Sequence, residues 1–120
     1  MIDRQAAIHM LKNTFVEYVL IDGTAVKLTL AFYLLKQLEA KNPALAERYY
    51  KTVAKQQRDV RDTDIITVLY AAYCCANMGE EEMLDEELFT ILLGSDRLSM
   101  RGVFNQLMGA KKKPDFGKRS

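Results

Sequence analysis

The chain has 120 residues, of which 49% are hydrophobic and 28% charged, and its formal net charge is +1. A chain of this length suits one domain that buries roughly two-thirds of its unfolded surface, and these proportions exclude wholesale disorder. No apolar run has the length of a membrane span, and the N-terminus has no apolar stretch typical of a secretion signal. We therefore expect a protein of the cytoplasm.

The small net charge conceals an uneven distribution along the chain. Residues 1–110 carry 12 basic and 15 acidic side chains, a balance of −3, whereas residues 111–120 carry 5 basic and 1 acidic, a balance of +4. A basic segment on a mildly acidic body can contact nucleic acid, an acidic partner or the acidic run at residues 80–82. The pattern favours the simpler interpretation, a flexible and solvated basic tail over residues 111–120.

The first elements predicted are a short helix over residues 3–12 and a β-hairpin within residues 15–30. Apolar and polar residues alternate on both sides of Asp22 and Gly23. A three-residue loop over residues 21–23 keeps the apolar residues on one face, whereas a two-residue loop mixes the two faces. This register sets three pairs opposite each other: Val16 with Leu28, Glu17 with Lys27, and Tyr18 with Val26. Gly23 is then expected in the left-handed region, as a G1 bulge.

Two helices should follow the hairpin. Thr29 is the predicted cap of a helix over residues 30–41, with four residues largely buried: Phe32, Leu34, Leu35 and Leu38. Asn42 and Pro43 predict that this helix ends and a second one begins, with Asn42 as the N-cap of the second helix and Pro43 at its first position. The second helix carries Leu45, Tyr49 and Val53 in one row.

The most apolar element is predicted from Ile65 to Met78, with Asp62 or Thr63 as its N-cap. Because it is hydrophobic nearly all round, it should form a central helix wrapped by the others. A short helix capped by Asp85 should turn four side chains inward: Leu88, Phe89, Ile91 and Leu92. A last helix capped by Ser95 has an apolar stripe of Met100, Val103, Phe104, Leu107 and Met108.

These elements predict a mainly α protein. Residues 1–110 form a single compact domain of five to six helices with one small β-hairpin near the N-terminus, and residues 111–120 form the tail.

Few residues suggest catalysis. His9 is the one histidine, so the chain offers few of the residues that a histidine-based triad or metal cluster needs. Cys74 and Cys75 are adjacent, point about 100° apart on a helix and cannot easily bridge each other, so they are predicted to be reduced core thiols. The acidic residues near position 80 suit a solvated helix start better than an acid–base site. We therefore expect no enzyme, no metal and no cofactor.

Two surfaces could bind a partner. The stripe of the last helix, Met100 to Met108, could contact a partner helix, although ordinary core packing explains it more simply. Lys111, Lys112 and Lys113 could contact phosphates, but no recognition helix or RNA-binding platform accompanies them. Nucleic acid is therefore an unlikely partner, and a membrane is not expected.

Three segments carry a resemblance to a known family. They are Ile21 to Thr24 (IDGT) before an apolar strand, Leu92 to Arg97 (LLGSDR), and Gly109 to Lys113 (GAKKK) before a polar end. In this layout the chain resembles the tail assembly chaperones of tailed bacteriophages and prophages of Gram-positive bacteria. The resemblance covers most of the chain from about Phe15 onward. None of the three segments is a catalytic fingerprint, and the resemblance assigns no partner-contact residues.

The resemblance implies a role in virion assembly in the host cytoplasm. The protein would bind the phage tape measure protein, keep it soluble, assist tail-tube assembly, and be absent from the mature virion. The tail-tube protein is a second partner compatible with this role, as is self-association, and a longer frameshifted form is known in the family. The alternative is a small nucleic-acid-binding regulator that uses the basic tail, and a third interpretation is a helical adaptor unrelated to phage.

Overall fold

The computed structural model describes Arg4 and residues 15–80 and 82–111. Apart from Arg4, the predicted helix over residues 3–12 lies outside these residues, as does the tail beyond Lys111. The described part contains strands β1 (Val16–Val19) and β2 (Ala25–Leu28) and five α-helices: α1 (Phe32–Lys41), α2 (Pro43–Val53), α3 (Asp62–Ala76), α4 (Glu86–Leu93) and α5 (Arg97–Lys111). A short 3-10 helix, Gln57–Asp59, lies between α2 and α3. The fold class is confirmed: mainly helical, with one antiparallel hairpin near the N-terminus.

The hairpin has the predicted register. Val16 pairs with Leu28, Glu17 with Lys27 and Tyr18 with Val26. The Leu20 N–H donates to the Thr24 carbonyl at 2.8 Å, which closes the three-residue loop, and Gly23 has a φ of +91°. The Asp22 carboxylate accepts from the Thr24 N–H at 3.0 Å. Glycine suits this position because a side chain disfavours positive φ.

One face of the hairpin packs onto the helices. The inward side chains of both strands are buried, and the outward ones are exposed. The Thr29 N–H donates to the Ala72 carbonyl at 3.1 Å, and the Asn77 amide donates to the Lys27 carbonyl at 3.3 Å. These contacts with α3 and its C-cap supply the support that an isolated two-stranded sheet lacks in water.

Helix α3 is the core, as predicted. Ten of its residues are buried: Ile65, Thr67, Val68, Leu69, Tyr70, Ala71, Ala72, Tyr73, Cys74 and Cys75. Its predicted cap is wrong. Asp62 already belongs to the helix, and the Asp64 carboxylate accepts from the Arg61 N–H at 2.9 Å. The acidic residue in the first turn thus reaches back to the preceding backbone, as in half of a capping box.

The junction of α1 and α2 is confirmed, but one burial prediction in α1 is wrong. Asn42 Oδ1 accepts from the Leu45 N–H at 3.2 Å, and Pro43 begins α2. Phe32 is 65% exposed, and the buried residues of α1 are Leu35 and Leu38. The prediction that Thr29 caps this helix is also wrong: the N-cap is Ala31, and the Thr29 hydroxyl accepts from the Ala31 N–H in the turn after β2. Helix α1 begins only at Phe32, and its first side chain faces outward.

Two further predictions near the C-terminus need correction. Asp85 caps α4 as expected, with Oδ1 accepting from the Leu88 N–H at 2.8 Å. Leu88 and Ile91, however, are 43% and 59% exposed, and Phe89 and Leu93 are the buried residues. A helix of only eight residues presents one row of i and i+4 side chains to the core. The cap of α5 is Asp96, not Ser95, because the Asp96 carboxylate accepts from the Ser99 N–H at 3.1 Å.

Candidate partner-binding groove

The apolar stripe of α5 divides into two parts. Met100 and Leu107 are buried in the core. Val103, Phe104 and Met108 are only partly buried and pack against its edge. Core packing therefore explains the first pair fully, while the others keep part of their surface available for contact.

Phe104 and Met108 form one wall of an open groove of about 370 Å³. The opposite wall is the end of α2, and the segment after it closes one side. Nine residues line the groove: Thr52, Val53, Lys55, Gln57, Val60, Phe104, Asn105, Met108 and Gly109. Among the large hydrophobic residues, Val53 is partly exposed here. Aliphatic, aromatic and thioether groups thus form a concave surface, with the amides of Gln57 and Asn105 able to donate and accept hydrogen bonds.

Both walls of this groove are attached to the first turn of α3. Lys55 Nζ lies 2.8 Å from Asp64 Oδ2, which holds the segment after α2. Asp62 pairs with Arg97 at 2.7 Å and with Arg101 at 3.1 Å, which holds the first half of α5. One short stretch of α3 therefore makes ion pairs with both of the segments that line the groove.

Gly109 leaves part of the groove open. It lies within α5, and among the described residues no atom beyond its chain neighbours and the backbone of its own helix lies within 4 Å of the position that a Cβ would occupy. Gly102, on the same helix, also has open space around this position but is not among the groove residues. A larger side chain at Gly109, a residue that lines the groove, would therefore have room and would not displace the core.

The rim of the groove is basic on one side. Lys55 also belongs to a neighbouring concavity of about 650 Å³, lined with Arg58, Asp59, Arg61, Thr63 and Asp64. The hydrogen bond from Lys55, followed by that from the Arg61 backbone, holds the pKa of Asp64 below its ordinary value. Lys55 and Asp64 neutralise each other, whereas Arg58 and Arg61 are exposed beside the single carboxylate of Asp59.

The sequence-predicted candidates fall at different places. Lys111 is the last residue of α5, and Lys112 and Lys113 lie outside the described residues. The alternation and spacing of the chain gave no indication of Val60 or Gly109. Their role depends on α2 and α5 lying side by side, which local patterns do not encode.

The other side chains that could take part in chemistry stabilise the fold. Cys74 and Cys75 are free and buried, and burial raises the pKa of both thiols, to about 12 for Cys75. Glu86 binds Arg48 through both carboxylate oxygens, at 2.8 and 2.6 Å. Among the described residues no three His, Cys, Asp or Glu side chains lie close enough to hold a metal ion. No helix in this part of the chain is long and apolar enough to cross a membrane.

Comparisons of the chain with protein-family models, with curated proteins and with solved structures give no match.

Proposed function

We propose that the protein is a tail assembly chaperone that holds apolar side chains of a partner helix in the groove between α2 and α5. The observation that carries the proposal is the open apolar groove itself, with Phe104 and Met108 facing Val53. Recognition of an amphipathic helix by a hydrophobic groove is a common mode of protein binding, and methionine adapts well to varied side chains. A volume of about 370 Å³ suits a few anchoring side chains of the partner.

The partner in this proposal is the tape measure protein of a phage or prophage tail. Long amphipathic helices expose apolar stripes until the tail tube encloses them, and exposed apolar patches promote aggregation. A small helical protein that covers such a stripe keeps the chain soluble while tail-tube subunits assemble, and it leaves before the virion is complete. The resemblance of residues 21–24, 92–97 and 109–113 to the chaperone family supports this choice.

Co-expression with the tape measure protein tests the proposal. The chain should raise the soluble yield of that protein, and the two should co-purify. Gly109→Leu should abolish both effects because its side chain fills the groove. Gly102→Leu, on the same helix but outside the groove, should leave them intact.

The two glycine variants also control for folding. In a helix interior, leucine is favoured over glycine by roughly 0.5–1 kcal/mol, so neither variant should melt below the parent. A folded Gly109→Leu variant that still solubilises the tape measure protein would exclude the groove as the site. If the parent protein neither solubilises nor binds it, the chaperone assignment is wrong.

A further inference from the structure

We infer that the groove selects helices whose apolar stripe is flanked by acidic residues. This inference deepens the proposed function and rests on it, since it names the chemistry of the partner helix. It is argued from the charges that surround the groove between α2 and α5.

The observation that carries the inference is the sign of the charges on the rim. Lys55 is the single charged residue among the nine that line the groove, and no carboxylate lies among them. Arg58 and Arg61 are exposed in the adjoining concavity, which shares Lys55 with the groove. Arg58 has no ion-pair partner within residues 15–80 and 82–111. The lining of this concavity has three cations, Lys55, Arg58 and Arg61, against the carboxylates of Asp59 and Asp64, an excess of one positive charge. Because Lys55 is already paired with Asp64, a partner carboxylate placed here would meet the guanidinium groups of Arg58 and Arg61.

A panel of peptides tests this selection on the full chain. Three synthetic helical peptides of about 20 residues, roughly 30 Å long, would share one leucine stripe and carry Glu, Gln or Lys beside it. Binding is measured by fluorescence anisotropy. The Glu peptide should bind most tightly and the Lys peptide least, with a spread of about tenfold for a few exposed charge pairs. High salt should reduce the spread because it screens exposed charges.

Two charge variants identify the source of the preference. The double variant Arg58→Glu with Arg61→Glu should lose or invert the order of the three peptides. Lys41→Glu reverses an exposed charge at the far end of α1, about 15 Å along α2 from the groove, and should keep the order. Gly109→Leu should weaken all three peptides together, because it blocks the apolar contact that they share.

Three results would overturn the inference. Equal affinity for the three peptides would show that charge does not select the partner, and an unchanged order in the double arginine variant would place the selection elsewhere. A duplex DNA of about 20 base pairs that competes for the rim and binds more tightly than the Glu peptide would assign the positive charge to nucleic acid. None of these results decides the outcome of the co-expression test. Failure of the inference is therefore distinguishable from failure of the chaperone proposal.

Discussion

Cys74 and Cys75 show how burial decides the chemistry of a side chain. They are neighbours on the central helix, both thiols are buried, and burial raises the pKa of Cys75 to about 12. The thiolate is the reactive form of cysteine. A pKa of about 12 leaves only about one part in ten thousand of the Cys75 thiol ionised near pH 8.

We therefore expect both thiols to resist modification in the folded protein. Reaction with a disulfide reagent such as DTNB at about pH 8 should be slow in the native state and should reach two thiols per chain after unfolding. Cys75→Ser should reduce the final amount to one thiol per chain. Rapid reaction of the native protein with two equivalents would show that α3 is not the enclosed core of the fold.

At the scale of elements, Arg48 joins three helices. From α2 it donates two hydrogen bonds to Glu86 at the start of α4, and it donates a third to the Thr67 hydroxyl on α3 at 3.1 Å. The hydrogen bonds from Arg48 hold the pKa of Glu86 below its ordinary value of 4.5. Because the pKa is lowered in the folded state, the ion pair stabilises the protein above about pH 4.5, and this stabilisation is lost as pH falls through the folded pKa.

Glu86→Gln should consequently lower the free energy of unfolding by up to about 1 kcal/mol near neutral pH, since both partners are partly exposed. The difference from the parent should disappear at about pH 3, where the carboxyl is protonated in both states. Chemical denaturation at the two pH values measures it. Glu87→Gln removes an equal charge from the same exposed helix turn and should have a smaller effect. A difference that persists in acid would assign the loss to the amide and not to the ion pair.

The local elements could be predicted from the sequence, but the buried face of a short helix could not. The hairpin register depends on alternation across one loop, and the α2 cap depends on Asn42 beside Pro43, so neighbouring residues determine both. The outward position of Phe32 depends on where the chain leaves β2 and enters α1. Leu88 and Ile91 face outward because α4 is too short to bury more than one row. These outcomes depend on tertiary contacts.

The candidate site was predictable in the same limited sense. The spacing of the α5 stripe identified Phe104 and Met108 as possible contacts, but it did not separate them from Met100 and Leu107, which are core. Val60 becomes part of the groove only because the segment after α2 lies against α5. Periodicity within one helix holds no information about this neighbour.

The whole molecule is organised around α3. Strand β2 and each of the other four described helices contact it. Asp62 and Asp64 in its first turn form ion pairs with α5 and with the segment after α2, so both segments that line the groove are joined to the helix that forms the core. The groove should therefore be lost with the fold in one transition and not by local opening.

The basic C-terminal segment gives the prediction that separates the two proposed kinds of partner. A variant that ends at Ala110 lacks residues 111–120, of which five are basic and one is acidic. Pro114 and Gly117 in this segment disfavour regular structure. The core contacts of α5 lie before this point, so the melting temperature should not change. The variant should still solubilise the tape measure protein, because the groove lies before the truncation and apolar contacts survive moderate salt.

A nucleic-acid-binding regulator predicts the opposite. With about five charges engaged on a duplex, the affinity of the full chain would fall with a log–log salt slope of about −4 to −5, and truncation would abolish binding. Titration of duplex DNA with the full chain and with the truncated variant at several salt concentrations, together with the co-expression assay, decides between the two functions. DNA binding that depends steeply on salt and requires the tail, without any effect on tape measure solubility, would replace the chaperone with the regulator.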